Sequence, residues 1–213
     1  MGRLVSVHSG KIAPMEANAK KRSAIKKTPL QGPVTVTLEG IVGDQVADLR
    51  YHGGPFKALC CYSSEFYALW AEQFSAAMPL GSFGENLALE GLLDADVCIG
   101  DVYTINDAKV QVAGPRAPCG TLVTHWGVPG FHTATKKQRK TGFYMRVLQP
   151  GTIQAGDAVT LSERPEPEWS LPRYWDAVDQ KPDATRDQIE YLMKLPFLDP
   201  DWEPYFLKAL AKL

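Results

Sequence analysis

Apolar and polar positions alternate in strand-like fashion along seven stretches: Leu4 to His8, Val34 to Leu38, Leu59 to Tyr62, Val102 to Ile105, Val110 to Val112, Phe143 to Leu148 and Ala158 to Leu161. Successive side chains of a strand point to opposite faces, so this pattern predicts half-buried strands. Gly100-Asp101 and Gly156-Asp157 each open such a run with turn chemistry. One segment changes period: Phe66, Leu69, Trp70 and Phe74 recur at helical spacing, with Ser63 as the expected N-cap and Glu65 in the first turn. Cys119 to Lys140 mixes short helix and loop. Together these features predict a mainly β fold, a barrel decorated with peripheral helices.

Beyond Leu161 the pattern changes. Glu163 to Glu168 is rich in proline and charge and reads as a linker. Three short amphipathic helices are predicted after it. The first carries Leu171, Trp175 and Val178 behind Ser170 as cap. The second carries Ile189, Leu192 and Met193. The third carries Trp202, Phe206, Leu210 and Leu213, with Asp201 as cap and Pro204 in the first turn. The expected organisation is a barrel domain over residues 1–162 and a three-helix segment over 163–213 that leans on it.

Composition narrows the function classes. The chain has 213 residues with 23 Lys+Arg against 24 Asp+Glu, a net charge of −1, which argues against a generally basic nucleic-acid binder. The longest apolar run, Phe66 to Ala71, is far too short for a membrane span. The start MGRLVSVHSGK lacks the apolar core of a signal peptide, so a cytoplasmic protein is expected. The cysteines are Cys60, Cys61, Cys98 and Cys119, with no C-x-x-C pair to suggest a structural zinc or iron–sulfur site. A reducing compartment also argues against disulfides.

Two segments concentrate candidate chemistry. Asp44, Asp48, Arg50, His52 and Lys57 surround Gly53-Gly54-Pro55, an arrangement that either collects an anion or forms a solvated turn. In Gly114-Pro-Arg-Ala-Pro-Cys119-Gly120, two prolines stiffen a loop that sets Cys119 beside Arg116. A neighbouring cation favours thiolate, which serves as nucleophile, redox thiol or soft-metal ligand; a buried inert cysteine is the alternative. His8, His52, His125 and His132 offer no recognisable protease context for it. In Phe83-Gly-Glu-Asn86-Leu87, ahead of a strand, Asn86 is placed either to bind a ligand or to shape a turn. Two basic runs (Lys20, Lys21, Arg22, Lys26, Lys27, and Lys136, Lys137, Arg139, Lys140) read as solvated loops by default. A phosphate-bearing ligand at the barrel mouth is the sharper reading, and stable nucleic-acid binding ranks below it because no aromatics interleave the charges.

In order along residues 1–162, the chain resembles the MOSC domain family and its YiiM-like branch. The matching pieces are Ser23-Ala-Ile-Lys-Lys27-Thr-Pro, Gly32-Pro-Val, Gly43-Asp44, Ala47-Asp-Leu-Arg50, His52-Gly-Gly-Pro55 with Lys57, Gly84-Glu-Asn-Leu87, Gly100-Asp101, Pro115-Arg-x-Pro-Cys119 and Thr141-Gly-x-Tyr144. The resemblance implies a β-barrel that binds the molybdenum cofactor, a pterin dithiolene with a phosphate tail, with Cys119 as the protein's ligand to molybdenum. By position, Lys27, Arg50, His52, Lys57, Asn86 and Arg116 would line the cofactor pocket. The chain departs from the family pattern at Phe56, Ser63, Phe66 and Gly120.

The activity implied is reduction of N-hydroxylated compounds such as 6-hydroxylaminopurine to the amine, a detoxification of base analogues. His52 is the expected proton carrier, since imidazole titrates near neutral pH. No flavin, nicotinamide or ferredoxin fingerprint is present, so a separate flavoprotein or iron–sulfur protein is expected to supply electrons to a monomer or homodimer. The competing reading is a sulfur carrier with a persulfide on Cys119.

Overall fold

The computed structural model describes residues 1–16, 18–179 and 184–213. Its strands are β1 Gly2–Ser9, β2 Ala13–Met15, β3 Asn18–Ser23, β4 Thr28–Pro29, β5 Val34–Thr37, β6 Gly40–Ile41, β7 Leu59–Ser63, β8 Leu87–Glu90, β9 Val102–Ile105, β10 Ala108–Pro115, β11 Phe143–Gln149, β12 Gly151–Ile153 and β13 Ala158–Glu163. Its helices are α1 Leu49–His52, α2 Phe66–Phe74, α3 Gly120–Trp126, α4 Phe131–Lys137, α5 Leu171–Val178, α6 Arg186–Leu192 and α7 Glu203–Leu210.

Seven strands close into a barrel in the order β13-β9-β10-β11-β7-β8-β1, and β1 returns to β13 through Gly2 opposite Val159 and Arg3 opposite Ala158. Closure removes the open sheet edges that invite aggregation. Neighbours in the barrel run antiparallel except β7 and β8, which are parallel. Six of the seven alternating stretches became barrel strands. The other, Val34–Thr37, pairs instead with β6 and β12 in a small sheet outside the ring, and β8, just after Asn86, takes the seventh place. The first basic run is not loop but strand: Lys20, Lys21 and Arg22 lie on β3 of an exposed hairpin with β2.

The barrel interior is filled from alternate positions, among them Leu4, Leu59, Leu89, Ile105, Val112 and Met145, all fully buried. A second cluster beneath α2 is aromatic: Tyr62 stacks on Phe83 with ring centroids 3.7 Å apart, and the Trp70 indole donates to the Tyr62 hydroxyl over 2.7 Å. Helix α2 starts at Phe66 without a side-chain cap. Ser63 is not that cap, because it is the buried last residue of β7 and its hydroxyl donates to the Leu92 carbonyl.

The C-terminal helices share one continuous core with the barrel, with Trp175, Trp202 and Phe206 buried against it. Ser170 makes no capping bond to α5. The last helix has no side-chain cap; Asp199 instead caps the short 3-10 turn Pro200–Trp202 that leads into it, its carboxylate accepting from the Asp201 amide at 3.0 Å, while Asp201 turns to Lys57. The proline-rich stretch is tied down by Arg164, which grips the two oxygens of Asp101 at 2.8 and 2.7 Å. Asp101 is fully buried and also accepts from the Cys98 amide and the Tyr103 hydroxyl.

Breaking one side of a buried ion pair strands its partner's charge. Arg164→Ala is therefore expected to cost about 3 kcal/mol in urea unfolding. Arg173→Ala, which breaks an exposed 3.6 Å pair with Glu168 and a contact with the Trp169 ring at 5.1 Å, should cost less than about 1 kcal/mol.

Candidate functional site

A cavity of about 860 Å³ opens among the β2–β3 hairpin, the segment from Leu38 to Ala58 and the loop that leaves β10. The Asp44 carboxylate holds its wall together. It accepts from the Gly10 amide at 2.6 Å, from the Asn86 side-chain amide at 2.8 Å and from the Lys27 ammonium at 2.5 Å. Asn86 in turn accepts the Cys60 amide at 3.0 Å, so this side chain joins β7 to the segment that crosses above it. Every polar bond of this group closes on another part of the protein.

The floor has a different character. Strand β10 ends at Pro115, just past Gly114, where the Trp202 indole is so close that a Cβ would meet it at 2.9 Å. The next two residues bring in Arg116, whose amide donates to the Gly142 carbonyl at 2.9 Å. The Arg116 guanidinium is buried beside Tyr144, and its Nη1 finds no hydrogen-bond partner among the described residues. Tyr144 stands opposite Cys60 across the β11–β7 ladder, and both side chains reach the cavity. Burial raises the Cys60 thiol above its ordinary range, so it is neutral at physiological pH.

Cys119 stands at the start of α3, partly exposed to the cavity. Burial pushes its thiol up, but hydrogen bonds from His52 and Thr121 and the Arg116 charge outweigh it and bring the pKa down to about 6. At neutral pH the group is a thiolate. His52 reaches it from the last position of α1, a single turn whose start is capped by Asp48 accepting the Arg50 amide at 3.2 Å.

Among the residues expected from sequence, Lys27, His52, Lys57, Asn86, Arg116 and Cys119 all border this cavity. Arg50 does not. Residues on one turn of helix are spread by about 100° each, and with Leu49 and His52 on the cavity side Arg50 is exposed, lying 5.8 Å from the Tyr51 ring. Lys57 borders the cavity, yet its ammonium is taken by Asp199 at 3.1 Å and by Asp201. Burial would lower its pKa, and these two carboxylates raise it instead. Sequence reasoning missed Cys60 and Tyr144 as wall residues. Tyr144 stood in the Thr141-Gly-x-Tyr144 match, but the pairing that sets it beside Arg116 is long-range.

Among the described residues no three His, Cys, Asp or Glu side chains gather to hold a metal ion. The cavity thus suits a metal that arrives with its own ligands and needs one soft donor, which the Cys119 thiolate supplies. The unpartnered Arg116 Nη1 calls for an acceptor on the same ligand. A pterin-bound metal meets both requirements.

The MOSC domain family model matches residues 48–160. The chain belongs to the MOSC domain family, whose members in general bind the molybdenum cofactor. Within the family it is similar to YflK of Bacillus subtilis, at 35% identity over 99% of this chain and 95% of that one. The crystal structure of YiiM from Geobacillus stearothermophilus superposes with a TM-score of 0.83 at 33% identity, covering 99% of this chain and all of that one. A reductase of Gibberella moniliformis is 35% identical over 80% of this chain, which spans 31% of that protein. No helix of the described residues is long and apolar enough to cross a membrane.

Alkylation of Cys119 by iodoacetamide should rise with pH to half its maximum near the thiol pKa of about 6. In His52→Ala, which loses the largest contribution favouring thiolate, the midpoint should move up and the rate at pH 6 should fall several-fold.

Proposed function

We propose that this chain is a molybdenum-cofactor-dependent reductase of N-hydroxylated compounds, 6-hydroxylaminopurine among them, that yields the amine and so detoxifies base analogues. The observation that carries the reading is that Cys119, whose thiol pKa is brought down to about 6, shares a cavity floor with a buried guanidinium whose Nη1 has no partner among the described residues. The name of the Gibberella relative, a reductase, supports an oxidoreductase.

The bound cofactor would supply the two-electron chemistry that cleaves the N–O bond. Cys119 would be the protein's ligand to the metal, and Arg116 would donate to an acceptor of the pterin. Lys27, Asp44 and Asn86 keep the wall in place through their mutual bonds. His52 lines the cavity beside Cys119, so its imidazole would hold a proton near the reacting centre, where the departing hydroxyl needs one to leave as water. Electrons would come from a separate flavoprotein or iron–sulfur protein in the cytoplasm.

Purified from a host that makes the cofactor, the wild type should carry near-stoichiometric molybdenum and pterin and reduce 6-hydroxylaminopurine with a chemical electron donor. Cys119→Ala should lose the metal and the activity while keeping its circular dichroism. A wild-type protein free of molybdenum, with one extra sulfur on Cys119 by mass spectrometry, would overturn this reading in favour of a sulfur carrier. His52→Ala should keep the metal and lose about 100-fold in kcat at pH 7, the usual contribution of a proton donor.

A further inference from the structure

The charges around the cavity are shared out unevenly. Lys27 is bound at 2.5 Å to Asp44, and both side chains are nearly buried. Lys57 is held between Asp199 and Asp201. Neither ammonium can serve an incoming anion without leaving a carboxylate unpaired, which is costly where water is scarce. Arg116 also borders the cavity, but its guanidinium is buried at the floor, where a phosphate dianion would have to give up most of its hydration.

The mouth offers the opposite conditions. Lys21 and Arg22, on β3, border the cavity and are exposed. Among the described residues the Lys21 ammonium meets no carboxylate, and the one bond of the Arg22 guanidinium is to the Ile12 carbonyl at 3.2 Å. The neighbouring Lys26 is already paired with Glu16 at 2.6 Å and does not border the cavity. The acids of the mouth are Glu39 and Asp48, of which Asp48 caps α1.

From this distribution we infer that Lys21 and Arg22 form the phosphate-binding end of the cavity, and that a phosphate-bearing ligand lies with its phosphate at the mouth and an uncharged acceptor on Arg116. The inference rests on the cofactor reading for the identity of the natural ligand, and it reassigns the anionic end away from Lys27, Arg50 and Lys57. It also gives the β2–β3 hairpin, which precedes residue 48 where the family match begins, a part in ligand binding. Two exposed cations with unused donors suit a dianion, because charge-assisted bonds form there without stranding any partner.

Isothermal titration of the metal-free chain with inorganic pyrophosphate at low ionic strength tests this directly. Lys21→Ala/Arg22→Ala should weaken binding by about tenfold or more, the loss of at least one charge-assisted bond. Its affinity should also depend less on salt than that of the wild type. Lys26→Ala should bind within about twofold of wild type, since that ammonium is exposed and already paired. Wild-type affinity in the double variant, or no pyrophosphate binding by the wild type, would overturn the assignment. So would a loss in Lys57→Met that exceeds the loss in the double variant. The measurement needs neither molybdenum nor turnover, so the reductase reading can fail while this one stands.

Discussion

A guanidinium taken out of water costs several kcal/mol unless negative charge and acceptors replace its hydration. Arg116 is in that position, buried just past the end of β10 with its Nη1 unanswered by any of the described residues. The elements around it work to meet that cost. Gly142 fixes its backbone, and Tyr144 lines the cavity beside its side chain. The Cys119 sulfur, held anionic by His52 and Thr121, supplies nearby negative charge. Each partner depends on another: the guanidinium stabilises the thiolate, and the thiolate helps make the buried guanidinium tolerable. The unanswered N–H is what remains for a ligand.

The other cations of the cavity show how the fold manages charge near this pair. Lys27 and Lys57 are nearly buried, and each is neutralised from a distant part of the chain, Lys27 by Asp44 and Lys57 by the turn that opens the last helix. That turn also sets the Asp199 amide on the Ala113 carbonyl and the Trp202 indole against Gly114. The C-terminal segment therefore braces both the Lys57 wall and the strand that delivers Arg116. What the cavity keeps in reserve for a ligand is the Cys119 sulfur and the buried Arg116 Nη1 at its floor, with cations on the hairpin at its mouth.

Much of this was legible from sequence because alternation directly reports an inward face. Val102 to Ile105 and Phe143 to Leu148 read as strands and are strands. Cys119 was legible because its activating cation lies three residues before it in a proline-stiffened loop. The difficulties came where spacing alone had to stand for geometry. Arg50 belongs to the same dense motif as His52, but one turn of helix points the two in different directions. Lys57 finds its partner 144 residues away, a pairing no local pattern encodes. Ser63 has the chemistry of a helix cap, yet strand β7 needed one more buried residue and used it.

The account stands or falls on the Cys119 sulfur being the group that meets the metal. Quantitative iodoacetamide labelling of that residue at pH 7, in metal-free protein and in protein purified with its molybdenum, decides the matter. The account predicts rapid labelling of the metal-free thiolate and strong protection in the loaded protein. Equal labelling of the two forms, with molybdenum retained throughout, would contradict it.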